Sequence, residues 1–249
     1  MLLVYRRRNA HLVKQLATEA ASIGMRVLLW GLDGTCPSLA NWTVGDGPGA
    51  RNVLLSRLFN LAAPDSNEYV LIADDDIEFA VGGLARFLVL AHQAGFMLAQ
   101  PTHMLDSHYS FRFTCGQPHL LARSTLFVEI GPMVLVHPAF RGRVFPLHAH
   151  LEMGWAEAVY WHKARARDER FGMIDAIRIR HLSPVGLDYD KMLEQRQLDQ
   201  TLDEEGVPTI HHMLCTVDRW FRWQAHAPWV TSTSRPTHLP GTRKMELSH

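Results

Sequence analysis

The sequence predicts an α/β fold: a Rossmann-like, mostly parallel central sheet flanked by helices, with a helical extension at its C-terminal end. Three observations predict it. Residues 1–34 alternate strand, helix and strand; the apolar run Tyr69-Val70-Leu71-Ile72-Ala73 ends abruptly in Asp74-Asp75-Asp76; and a helix followed by a strand recurs over residues 153–182. Composition agrees, with 47% hydrophobic and 20% charged residues among 249, enough for one large α/β domain or two small ones.

Leu2 to Tyr5 reads as the first strand. Asn9 is expected to cap a helix reaching Ile23, because Leu12, Val13, Leu16, Ala17 and Ala20 recur at intervals of three and four. Gly24 stops that helix, and Arg26 to Trp30 supplies a second strand, completing a β-α-β unit of the kind that builds parallel sheet. The C-terminal ends of two such strands lie side by side, where open α/β sheets take ligands. They carry Arg6-Arg7-Arg8 and Asp33, so one could hold phosphate and the other a base or ribose.

Trp42-Thr43-Val44 is a candidate third strand. The glycine-rich Gly45-Asp46-Gly47-Pro48-Gly49 runs into Ala50-Arg51-Asn52 and a helix from Val53 to about Ala63, so backbone amides and Arg51 could face an anion. The apolar strand from Tyr69 follows. Its three adjacent carboxylates repel one another and lose solvation unless a cation compensates, and a hard divalent ion shared with diphosphate oxygens would do so.

Gly82-Gly83 and a helix from Leu84 to Ala94 return the chain, and Phe96 to Ala99 reads as a strand ended by Gln100-Pro101. The polar stretch from Thr102 to Gln117, with His103, Asp106, His108, Tyr109 and Arg112, reads as a loop beside the site. Phe127 to Pro132 and Met133 to Val136 read as two strand halves broken by Gly-Pro. Met153-Gly154-Trp155-Ala156-Glu157 opens a helix to about Arg167, with Glu157 in its first turn, where the helix dipole favours an acid. Gly172 to Leu182 is an alternating strand ending in His181, an imidazole that a carboxylate-held metal could use. Further on, Tyr189 to Glu204 reads as a charged helix and Val217 to Trp223 as an aromatic, basic one whose tryptophans are expected to dock on the main domain rather than on a membrane. From Ala227 onward, Pro, Ser, Thr and Gly dominate, as in a lid or loose tail.

A formal net charge of zero disfavours a nucleic-acid partner. Cys36, Cys115 and Cys215 are widely spaced, without a CxxC pair, which fits reduced thiols in a cytoplasmic protein better than a disulfide framework. The apolar run at the N-terminus is too short for a signal peptide, and no stretch is long enough to span a bilayer.

In their order, Ala50-Arg51-Asn52, the strand into Asp74-Asp75-Asp76, Gly154-Trp155-Ala156-Glu157 and the late His181 resemble the GT-A nucleotide-sugar glycosyltransferases, the large group of DXD-containing, family-2-like enzymes. The resemblance covers about residues 1–190, divided into a nucleotide-binding half to about residue 100 and an acceptor half after it, with residues 191–249 as a helical extension and tail. It implies transfer of a sugar from a nucleotide diphosphate sugar to an acceptor hydroxyl with Mn²⁺ or Mg²⁺. Asp76 and His181 would hold the metal, Asp74 and Asp75 would adjoin the nucleotide and ribose, Asp33 would read the base, and Arg6 and Arg51 would lie near the donor.

The chain departs from that pattern at one position. Inverting members carry Glu-Asp at the helix start, the Asp acting as general base; here the pair is Glu157-Ala158. Either Glu157 takes the role or the enzyme retains anomeric configuration. Two other readings stand beside it: a non-catalytic nucleotide-sugar binding or scaffold protein, and a nucleotidyltransferase, which would need a glycine-rich signature after the first strand where this chain has Arg6-Arg7-Arg8-Asn9.

Overall fold

A computed structural model describes residues 1–224. The expected lid or tail from Ala227 onward lies outside the described residues. In chain order the elements are β1 (Leu2–Tyr5), α1 (Ala10–Ser22), β2 (Leu28–Gly31), β3 (Thr43–Asp46), α2 (Arg51–Ala62), β4 (Val70–Ala73), β5 (Ile77–Val81), α3 (Leu84–Ala94), β6 (Leu98–His103), β7 (Leu120–Thr125), β8 (Met133–Val136), α4 (Glu157–Ala164), β9 (Phe171–His181), α5 (Lys191–Glu204), α6 (Ile210–Met213) and β10 (Thr216–Phe221).

They form one mixed sheet in the order β10-β7-β9-β6-β8-β4-β1-β2-β3, with β5 paired to β9. The N-terminal half is parallel: β1 lies between β2 and β4, and β3 follows β2. Beyond β4 the direction reverses at β8, and β6 and β9 form a second parallel pair bounded by antiparallel neighbours.

The period-two pattern of the first strands explains the layers. Leu3, Tyr5, Leu29, Leu71 and Ala73 face a core closed by α1 and α3, whereas Leu2, Val4, Leu28, Trp30, Val70 and Ile72 face one closed by α2 and by Phe140 and Trp161. A third cluster joins Phe127, Ala158, Val159, Leu198, Leu202 and Met213, so that α4, α5 and α6 pack together.

Four readings of local structure are corrected. Gln100-Pro101 does not end β6, which runs on to His103: Pro101 lacks an N–H, but it sits next to a register shift against β9, where the ladder tolerates the loss. Phe127 to Pro132 is irregular rather than a strand half, and only Met133–Val136 pairs. Val217 to Trp223 is not a helix: β10 pairs antiparallel with β7 as an edge strand, burying Trp220 and leaving Trp223 72% exposed. The aromatic and β-branched residues there favour a pleated, half-buried edge over a helix. Asn9 does precede α1, but its side chain makes no capping bond.

Candidate active site

The C-terminal ends of β1 and β4 face a cavity of about 400 Å³. Its wall brings together Arg6, Arg51, Asp74, Asp75, Asp76 and His181, six of the eight site residues expected from sequence. The parallel register explains the first of these contacts. Leu3 pairs with Ala73, so the chain after β1 passes the carboxylates after β4, and the Arg6 amide donates to Asp75 Oδ2 at 2.7 Å.

Each acid has its own partner. Arg51, in the first turn of α2, donates through Nε and Nη2 to Asp74 Oδ1 at 3.0 and 2.5 Å, and through Nη2 to the Ile130 carbonyl at 3.4 Å. Asp74 is pinned from the other side by Gly131: a Cβ there would lie 2.5 Å from Asp74 Oδ2, while the Asp74 amide donates to the Pro132 carbonyl at 2.8 Å. Burial pushes the Asp75 carboxyl up to about 6, with the charges of Asp76 and Asp74 adding to it and the Arg6 amide opposing it.

Asp76 meets His181 because β5 folds straight back onto β9. Ile77 pairs with His181, the Leu182 amide donates to the Asp76 carbonyl at 2.9 Å, and His181 Nε2 lies 3.1 Å from Asp76 Oδ1. Burial works against both charges, yet the bond between them outweighs it: His181 is raised and Asp76 lowered from their ordinary values. Among the described residues no group of three or more His, Cys, Asp or Glu side chains converges as a complete metal cage. Asp76 and His181 fit a divalent ion that draws its remaining ligands from water and diphosphate oxygens.

Asp33 stands apart from the cavity wall, which Leu32 reaches instead; its carboxylate accepts the Arg7 amide at 2.9 and 3.2 Å. Glu157 requires a larger correction. It is 0% exposed and absent from the cavity wall, where Ala158 stands. Its Oε1 accepts from Asn52 Nδ2 at 2.9 Å and from the His148 amide at 2.7 Å, and its Oε2 lies 3.0 Å from His148 Nδ1. The Gly154 turn, at φ +86°, closes over Asn52 so tightly that a Cβ would lie 2.8 Å from its Oδ1. Glu157 thus staples the start of α4 to α2.

Sequence reasoning missed several wall residues. The segment after β9 crosses the mouth with Val185, Leu187, Asp188 and Tyr189; Asp188 pairs with Arg8 and lies 3.5 Å from Arg6 Nη1. Trp155, Phe111 and Phe127 also line the wall, with Trp155 edge-on to Tyr189 at 6.1 Å between ring centres. Glu129 also lines the cavity, as does His103, which the sequence had placed beside the site. Glu129 was hidden in a stretch read as strand. The spacing of aromatics around residues 111 and 127 was the available signal for that part of the wall.

The mixed sheet with its acid-rich strand end and its reversal at β8 is an α/β fold that matches GT-A glycosyltransferases of known structure. Among solved structures, the chain matches S. aureus TarS residues 1–349 in complex with UDP-GlcNAc at a TM-score of 0.56, with 11% identity over 84% of this chain and 66% of that one. It matches GalNAc-T7 with UDP, GalNAc and Mn²⁺ at 0.54, with 8% identity over 82% of this chain and 49% of that one. The chain therefore spans about two thirds of the first and half of the second. No protein-family model matches the sequence, and no curated protein matches it. Among the described residues no helix is long and apolar enough to cross a membrane.

Proposed function

We propose that the chain is a metal-dependent glycosyltransferase, hexosyltransferase-like, that moves a sugar from a nucleotide diphosphate sugar to an acceptor hydroxyl. The observation that supports this most is the Asp76–His181 pair at 3.1 Å beside Asp74, Asp75 and Arg51 on the ligand edge of a GT-A sheet. The complexes of the two structural neighbours, one with UDP-GlcNAc and one with UDP, GalNAc and Mn²⁺, favour the same class of donor.

In this reading Asp76 and His181 hold Mn²⁺ or Mg²⁺, with Asp74-Asp75-Asp76 serving as the DXD motif. When bound, the ion neutralises charge developing on the departing diphosphate. Arg51 orients Asp74 toward the nucleotide, Arg6 lies along the donor, and Asp33 contacts the base once Arg7 and the donor share its carboxylate. The aromatic wall of Trp155, Phe111 and Phe127 receives the acceptor, since flat apolar faces suit a sugar ring. Three free cysteines suit a reducing, cytoplasmic setting. A scaffold role is less favoured, because the ligand-type residues remain paired and poised at the cavity.

The test is a thermal-shift screen with UDP-GlcNAc, GDP-mannose, dTDP-glucose and ADP-glucose, each with Mn²⁺ and with EDTA. One nucleotide class raises the melting temperature with Mn²⁺ and loses that effect in EDTA. The absence of a shift with every donor would overturn the reading.

A further inference from the structure

With Glu157 buried and Ala158 on the wall, the reaction lacks the carboxylate that would take the acceptor proton at the usual place. Six carboxylates line the cavity: Asp74, Asp75, Asp76, Glu129, Glu152 and Asp188. Four are committed, Asp74 to Arg51, Asp75 to the Arg6 amide, Asp76 to His181 and Asp188 to Arg8. Glu152 is exposed at the rim.

Glu129 differs from all of these. It lies between β7 and β8, flanked by Val128 and Ile130, which are sunk in the core, and its own amide donates to Gln100 Oε1 at 2.7 Å. The backbone is therefore fixed on both sides, and the side chain is left 13% exposed on the cavity wall. Opposite it is His103, at the C-terminal end of β6 and 1% exposed. His103 Nδ1 is 3.3 Å from Ser107 Oγ, and Nε2 is a buried nitrogen without a hydrogen bond, 3.7 Å from Glu129 Oε2. Ser107 Oγ also accepts the His181 amide at 2.8 Å. A short chain of contacts thus joins the backbone of the metal-binding histidine to the Glu129 carboxylate.

Resting on the glycosyltransferase reading above, we propose that Glu129 is the general base of an inverting transfer, with His103 as its positioning residue. The acceptor O–H gives its proton to Glu129. Its oxygen forms a bond to the anomeric carbon from the face opposite the leaving group, and the bond from that carbon to the β-phosphate oxygen breaks, its electron pair leaving with the nucleoside diphosphate. In this arrangement the Ser107 hydroxyl turns from the His108 carbonyl, 3.4 Å away, to donate to His103 Nδ1, which leaves the ring proton on Nε2, facing Glu129. His103 thereby aims the carboxylate without taking its proton.

The experiment uses the full chain, the donor selected by thermal shift with Mn²⁺, and water as the acceptor. Nucleoside diphosphate release is measured for the parent, E129Q, E129A and H103Q. E129Q is expected to keep the donor-induced shift and lose at least about 100-fold in release rate. In E129A, sodium azide, a nucleophile with no proton to surrender, restores release by at least about tenfold and yields the inverted glycosyl azide. H103Q lowers kcat by about tenfold while the donor KM stays within about twofold, the split expected of a group acting only as the transition state forms. Proton NMR of the sugar released by the parent, read before mutarotation, shows inversion.

Release by E129Q within about twofold of the parent would overturn the base assignment. So would retention of configuration, or a parent that binds donor yet releases no nucleotide to water. A parent that binds no donor at all overturns the glycosyltransferase reading and the base with it, an outcome distinct from the others because E129Q is then irrelevant.

Discussion

The strand-end side of the cavity and the side where α4 begins treat their acids in opposite ways. At the strand ends Asp74, Asp75 and Asp76 stay at the wall, held by Arg51, by the Arg6 amide with Asn9, and by His181 with Ser183. Where α4 begins, Glu157 is withdrawn entirely, satisfied by three hydrogen bonds and used to fasten α4 to α2. An acid at the expected place in a sequence is therefore not yet a catalytic acid. What distinguishes the two is whether its lone pairs are already spent inside the protein.

The sharpest way to break this comparison is to remove Glu157. Glu157→Ala strands the buried Asn52 amide and the His148 donors, which costs about 3 kcal/mol and lowers Tm by about 6–12 °C in a chain of this size. The folded remainder still shows its donor-induced shift. Calorimetry of the variant with and without donor checks this; full thermal stability with abolished turnover would return Glu157 to the role of base. On the other side of the cavity the consequences reverse. Asp76→Asn keeps Tm close to that of the parent and weakens Mn²⁺-dependent donor binding by about 100-fold, since loss of a direct ligand costs at least as much as the outer-shell losses typical of metal sites. Isothermal titration with Mn²⁺ and donor reads that ratio, and an unchanged affinity would remove Asp76 from the metal site.

How much of this was legible in the sequence follows the same division. The strand-end side was readable because its signals are local: β1, α1, β2 and β4 announce themselves by periodicity, and Asp74-Asp75-Asp76 sits directly at a strand end. The pairing of Asp76 with His181 was open to inference only as a shared ligand set, because the intervening hairpin-like return of β5 onto β9 joins residues about a hundred positions apart. The remainder was poorly legible. Glu157 satisfied every local expectation of a functional acid, and nothing near it in sequence indicates that Asn52 and His148 would occupy both of its oxygens. Glu129 lay in an apolar stretch whose Gly131-Pro132 looked like a broken strand, while its significance depends on His103 arriving from β6. Likewise Val217 to Trp223 has the composition of either an amphipathic helix or an edge strand, and the choice is made by β7, which offers an unpaired edge.

A smaller change sharpens the strand-end side further. Gly131→Ala introduces a methyl carbon 2.5 Å from Asp74 Oδ2 and pushes the carboxylate off Arg51, with no ligand removed. Donor affinity falls by about tenfold, the loss of one well-oriented charged hydrogen bond. If Asp74 were merely a surface partner of Arg51, the donor titration would be unaltered while Tm fell.

The smallest effect concerns pH and belongs to the side where α4 begins. The hydrogen bond to Glu157, reinforced by its charge, raises the His148 imidazole above its ordinary value despite partial burial. The folded protein therefore binds this proton more tightly than the unfolded chain. The resulting stability is fully present below the unfolded value of about 6.5 and is lost as pH rises through the higher, folded value. His148 is 39% exposed, so screening keeps the contribution below about 1 kcal/mol. Urea unfolding at about pH 6 and about pH 8 compares the parent with His148→Gln: the parent loses more stability over that interval, because only the parent has this proton to give up. Equal losses in both proteins would mean that the Glu157 staple holds α4 through Asn52 and the His148 amide alone. The charge on the imidazole would then add nothing to the fastening that keeps Glu157 out of the cavity.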